Sequence, residues 1–133
     1  MTEDQMKILV VDDDPFMREI LLMVLEGGDY LVETAENGVD AYGKCATDEN
    51  IGMIVSDMNM PEMNGLELTR ELRGVGADVP IIVLTGDDDA DTEREVMESG
   101  ANGCLVKGGD LQDVLLETVE KVLEEYRLKK ASV

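Results

Sequence analysis

Short apolar runs alternate along this chain with stretches of helical spacing. Met6 to Val11 is almost wholly apolar, as a strand covered on both faces should be. It ends at Asp12-Asp13-Asp14-Pro15, where Asp14 suits a helix N-cap and Pro15 the first helical turn. Phe16, Met17, Ile20, Leu21, Val24 and Leu25 then share one broad face of a first helix, which Gly27-Gly28 stops. Tyr30 to Thr34 predicts a second strand. Asn37 to about Ala46 predicts a second helix, weaker in pattern and containing Gly43. Ile51 to Ser56 is a third, buried strand, followed by turn chemistry at Asn59, Pro61, Asn64 and Gly65. Gly65 to Arg73 carries Leu66, Leu68 and Leu72 on a third helix that Gly74 and Gly76 end. Pro80 to Thr85 is a fourth strand, its proline placed where no ladder donor is needed. Asp87 to Asp91 leads into a fourth helix running to Ser99, with Val96 and Met97 among few apolar residues. Gly103 to Lys107 is a short fifth strand. Asp110 to Leu128 is the last helix, burying Leu111, Val114, Leu115, Thr118, Val119, Val122 and Leu123.

Strands alternating with helices imply a parallel sheet covered by helices on both faces, a doubly wound α/β sandwich. At 133 residues the chain is expected to be one domain with one well-buried core. Composition and charge add several exclusions. Eleven Lys plus Arg stand against 31 Asp plus Glu, a formal charge of −20, which repels nucleic acid. That acidity serves solubility or a salty cytoplasm, or else steers the protein toward a basic partner surface. No segment approaches an uninterrupted apolar membrane span, and the start, Met1-Thr2-Glu3-Asp4-Gln5, is the opposite of a signal peptide. A cytoplasmic location is the expectation. Cys45 and Cys104 lack metal-site spacing and the chain has no His, which argues against zinc and against His-based acid/base chemistry.

The chemistry gathers where strands end. Asp12-Asp13 follows the first strand, Asp57 the third, Thr85 the fourth and Lys107 the fifth, so parallel strands bring them to one edge. Each has a bland alternative. Any single Asp is commonplace in so acidic a chain, Thr85 could cap a helix, and Lys107 could be an edge lysine closing its strand. Adjacent carboxylates repel unless a cation sits between them, and magnesium suits a site with few protein ligands. Together the residues fit a carboxylate nucleophile that forms an acyl phosphate. Asp13 and Asp57 would hold magnesium, with manganese as an alternative. Lys107 would pair with a phosphoryl oxygen and the Thr85 hydroxyl would donate to another. No general base is needed, because a carboxylate is already ionised at neutral pH.

Val10-Val11-Asp12-Asp13, the segment Ser56-Asp57-x-Asn59-Met60-Pro61-x-Met63-x-Gly65-Leu66-Glu67-Leu68, Thr85-Gly86 and Val106-Lys107 together resemble the receiver domain of bacterial response regulators, most closely the stand-alone chemotaxis (CheY-like) type. The resemblance spans the chain in register. It implies a flavodoxin-like fold with strand order 2-1-3-4-5, a single receiver domain over residues 1–133, and no effector domain. It implies Asp57 as acceptor of a phosphoryl group from a sensor histidine kinase or phosphotransfer protein, without classical enzymatic turnover. Asp13, Asp57 and the Asn59 carbonyl would ligate magnesium directly and Asp12 through water. Thr85 and Lys107 would contact the phosphoryl group, and Asn59 and Asp87 would tune its hydrolysis. Output would pass to a protein target through the face of the fourth helix, fifth strand and fifth helix, in a monomer or weak dimer.

This chain departs from that pattern at two positions. The family usually has an aromatic residue where Cys104 stands, so the start of the fourth helix is expected to carry more of the switching. A proline commonly follows the lysine where Gly108 stands, and a cis bond before a non-proline residue costs about 3 kcal/mol, so a trans bond is expected. Three other functions compete. A haloacid-dehalogenase-type hydrolase would need a D-x-D-x-T/V arrangement after the first strand, which Asp12-Asp13-Asp14-Pro15 fits poorly. A flavodoxin-like electron carrier would need a Ser/Thr/Gly phosphate cradle in place of carboxylates. An adaptor that binds partners regardless of phosphorylation would have no use for the retained site.

Overall fold

The computed structural model describes residues 6–131. Its elements are β1 (Lys7–Val11), α1 (Pro15–Gly27), β2 (Leu31–Ala35), α2 (Gly38–Thr47), β3 (Ile51–Asp57), α3 (Gly65–Gly74), β4 (Ile81–Thr85), α4 (Ala90–Glu98), β5 (Gly103–Val106) and α5 (Leu111–Ala131). The five strands form one parallel sheet of order β2-β1-β3-β4-β5. This is the flavodoxin-like order expected from the sequence.

The two faces of the sheet follow from strand alternation. Ile8, Val10, Met53, Val55, Ile82 and Leu84 turn toward α1 and α5, where Leu21, Leu25, Leu115 and Val119 complete one core. Leu9, Val11, Ile54, Ile81 and Val83 turn toward the other helices, where Ala41, Leu68, Leu72 and Val96 complete the second. The register of β1 on β3 shifts between Lys7 and Ile8, leaving Gly52 as the extra residue of a bulge. A side chain there would run into Met6.

Capping fixes the helix starts. Asp14 accepts from Phe16 N as foreseen, Asn37 accepts from Asp40 N, and Asn64 and Glu67 form a reciprocal capping box. Some boundaries move by a few residues. Tyr30 lies outside β2, which runs on to Ala35, and α5 continues past Leu128 to Ala131.

One residue assigned to the apolar stripe of α1 is exposed. Phe16 shares its stripe with Ile20 and Val24 but is 72% exposed, because the first turn of α1 extends past the core. Met97 is 43% exposed while its neighbour Val96 is fully buried, since α4 offers the sheet only a narrow strip. The Lys107–Gly108 peptide is trans, as expected. No helix among the described residues is long and apolar enough to cross a membrane.

Candidate phosphoryl-acceptor site

Strand register brings the predicted residues abreast. Val11 pairs with Ser56, Asp57 with Leu84 and Thr85 with Val106, so β1, β3, β4 and β5 end along one rim. Backbone bonds hold the rim together. Met58 N donates to Leu84 O at 2.7 Å and Lys107 N to Thr85 O at 2.8 Å. Gly65 at the start of α3 packs so closely that a Cβ would stand 2.5 Å from Asp57 O and 3.2 Å from Met58 Cα. Only glycine lets α3 begin there.

Asp57 is 4% exposed and Thr85 1%, and Asp12 is equally buried, whereas Asp13 and Asn59 are exposed. Carboxylate oxygens of Asp12, Asp13 and Asp57 lie within 4.8 Å of one another. Lys107 Nζ sits 2.8 Å from Asp57 Oδ1 and 3.7 Å from Asp12 Oδ2. These are ion-pair contacts, and both buried oxygens lack a hydrogen-bond donor. The remaining oxygens and main chain are well tied. Asp12 Oδ1 accepts from Asp14 N at 3.0 Å, and Arg18 donates to Asp12 O at 2.7 Å. Ser56 Oγ donates to Asp57 O at 3.0 Å. Thr85 Oγ1 accepts from Asp87 N at 3.0 Å, joining the rim to the approach of α4.

The charges do not balance within the site. Burial pushes the Asp12 carboxyl above its ordinary value, and the neighbouring Asp57 and Asp13 charges push the same way against Asp14 N and Lys107. Burial opposes the Lys107 ammonium, yet the carboxylates of Asp57 and Asp12 outweigh it and hold the ammonium above its usual range. One lysine faces three carboxylates, so the cluster carries more negative charge than Lys107 alone offsets. That donor set fits a hard divalent cation bound through few protein ligands and completed by water.

The response regulator receiver domain family model matches residues 8–120. The chain belongs to that family. As a receiver domain it is 37% identical over 130 residues to the sensor histidine kinase RcsC of Salmonella typhimurium, covering 98% of this chain and 14% of that protein's length. Among solved structures, the chemotaxis protein CheY4 of Vibrio cholerae superposes with a TM-score of 0.80 at 34% identity, over 88% of this chain and 98% of CheY4. The response regulator protein TrrA of Thermotoga maritima, solved in complex with Mg(2+)-BeF, superposes at 0.78 with 35% identity, over 88% of this chain and 98% of TrrA. Receiver membership displaces the hydrolase and the electron carrier considered from the sequence.

Sequence reasoning missed the supports of the site. Arg18 bracing the Asp12 carbonyl and the left-handed Glu62 (φ 69°) in the β3–α3 loop leave no periodic or motif signal. At the opposite end of the sheet Arg73 is equally silent in the sequence: it donates to Gly100 O, Ala77 O and Asn102 Oδ1, each at 3.0 Å, and locks α3 to the start of β5.

Proposed function

We propose that this receiver domain accepts a phosphoryl group on Asp57 from a histidine kinase or phosphotransfer protein, and thereby changes its contacts with a protein target. The observation that carries this is the buried Asp57 carboxylate, with Lys107 Nζ 2.8 Å away and Oδ1 lacking a hydrogen-bond donor. An Asp57 oxygen attacks phosphorus, the O–P bond forms, and the P–N bond of the donor histidine breaks with its electron pair left on nitrogen. Lys107 then pairs with a phosphoryl oxygen. The Thr85 hydroxyl, which accepts from Asp87 N, keeps its own proton to donate to another. Asp13, Asp57 and the Asn59 carbonyl would hold a magnesium or manganese ion, with Asp12 reaching it through water, and that ion would supply further positive charge against those oxygens.

The hydrogen bond between Thr85 and Asp87 gives the phosphoryl group a lever on the start of α4. The output face is that of α4, β5 and α5, in a cytoplasmic monomer or weak dimer with no nucleic-acid or membrane role. The domain is a phosphoacceptor that releases its own acyl phosphate slowly, without classical turnover. Hydrogen exchange with and without beryllofluoride should change across Asp87 to Met97, and unchanged protection there would remove α4 from the account.

Intact mass after incubation with acetyl phosphate tests the acceptor chemistry. A magnesium-dependent phosphoryl adduct that Asp57→Asn lacks is the expected result. No adduct under any condition would leave a phosphorylation-independent adaptor.

A further inference from the structure

β5 is the last strand of the sheet and is covered only in part, whereas β4 beside it is buried along its whole length. The nine-residue α4 that lies over it buries a single apolar side chain, Val96. This thin cover leaves a cavity of about 270 Å³ where α4 begins. Its floor is the side chains of Cys104 and Val106, the latter 40% exposed. Its rim is Asp87, Asp88, Asp89 and Glu93, all exposed to solvent, and Thr85 forms the wall shared with the phosphoryl-acceptor site. The cation of α4, Arg94, is taken by Asp91.

An apolar floor under a carboxylate rim discriminates among occupants. A purely apolar side chain would fill the floor but strip water from the carboxylates without replacing it. An acidic one would be repelled by the rim. A lysine or arginine lays its methylene stem on Cys104 and Val106 and brings its charged head to the rim. The surrounding charge favours the same occupant. A protein of formal charge −20 draws basic surfaces toward itself and rejects acidic ones.

We propose that this slot receives one arginine or lysine side chain from a basic segment of a protein partner. The proposal names the partner chemistry for the face invoked above and rests on that reading. Since Thr85 is a wall of the slot and holds Asp87 N, the slot and Asp57 share a moving part.

The test is an NMR titration with a short alanine–lysine peptide carrying a central arginine, set against the same peptide with central norleucine. Both are run on the protein with and without beryllofluoride. In at least one state the arginine peptide should shift the Thr85, Glu93, Cys104 and Val106 amides saturably and bind about tenfold tighter than its counterpart, a difference of about 1.4 kcal/mol. Cys104→Tyr, which fills the slot, should erase that preference. Glu93→Gln, which leaves the floor intact, should weaken the arginine peptide about two- to fivefold.

Equal binding of the two peptides, or a preference that survives Cys104→Tyr and Glu93→Gln, would overturn the slot in favour of diffuse attraction to an acidic surface. Intact mass with acetyl phosphate on the same samples separates the two claims. A phosphoryl adduct without arginine preference sinks the slot alone. Arginine preference without an adduct sinks the phosphoacceptor alone.

Discussion

Burial is the largest influence on both Asp12 and Lys107, and Asp57, from another strand, acts on each. Asp12, raised by burial and by two adjacent carboxylates, destabilises the metal-free fold when charged. Asp12→Asn should therefore raise the thermal midpoint of the metal-free protein. It should also diminish the further rise that magnesium gives the native chain, about 2.7 kcal/mol at a hundredfold excess over the dissociation constant. Calorimetry with EDTA and with magnesium reads both effects, and a variant less stable than native in EDTA would contradict the first.

The thiols differ in kind from the carboxylates. Burial, helped by Asp48, pushes Cys45 up to about 11, so its thiolate forms only well above neutral pH. Labelling of native Cys45 by a disulfide reagent should stay slow through pH 8 and accelerate as the pH approaches that value. The unfolded chain, whose thiol has the ordinary lower value, should react at once. The raised value also fixes the sign of its linkage. Its contribution to stability is whole below the unfolded value and is lost as pH rises toward 11.

At the scale of elements, much was legible because strand and helix periods differ and each junction carries its own punctuation. Asp14-Pro15 opening α1 and Asn64 opening α3 are local signals, satisfied by contacts within a few residues. The convergence of Asp12, Asp57, Thr85 and Lys107 was legible as a shared edge, since parallel strands admit no other arrangement of their ends. The 2.8 Å contact between Lys107 and Asp57 was not, because it depends on strand stagger and side-chain rotamer. Phe16 was misplaced for a related reason: helical spacing gives a direction and says nothing of where the core ends.

Gly65 shows an element boundary acting directly on the site. Gly65→Ala would press a methyl group against the Asp57 carbonyl and the Met58 Cα, backbone that cannot yield as a flexible side chain would. A loss of about 1–3 kcal/mol is expected from urea unfolding, with slower phosphoryl uptake on the folded fraction. Native uptake in this variant would mean that the contact does not position Asp57.

For the molecule as a whole, charge is the dominant feature. A formal charge of −20 on 133 residues means that like charges repel across most of the surface. Screening relieves that repulsion, since the Debye length falls from about 10 Å at 0.1 M salt to about 3 Å at 1 M. The thermal midpoint should accordingly climb between low and molar sodium chloride in EDTA, where magnesium plays no part. A flat or falling midpoint would show that the ion pairs, such as Lys7 with Glu33 and Asp48, matter more to stability than the summed repulsion.

The central claim is that the buried carboxylate at the end of β3 is the atom group that takes the phosphoryl. Borohydride reduction of the acetyl phosphate-treated protein converts an aspartyl phosphate to homoserine, and peptide sequencing by mass spectrometry then locates it. The account predicts homoserine at position 57 alone, present with magnesium and absent with EDTA. Homoserine at Asp12 or Asp13, or at no position while an adduct persists in the intact mass, would contradict it.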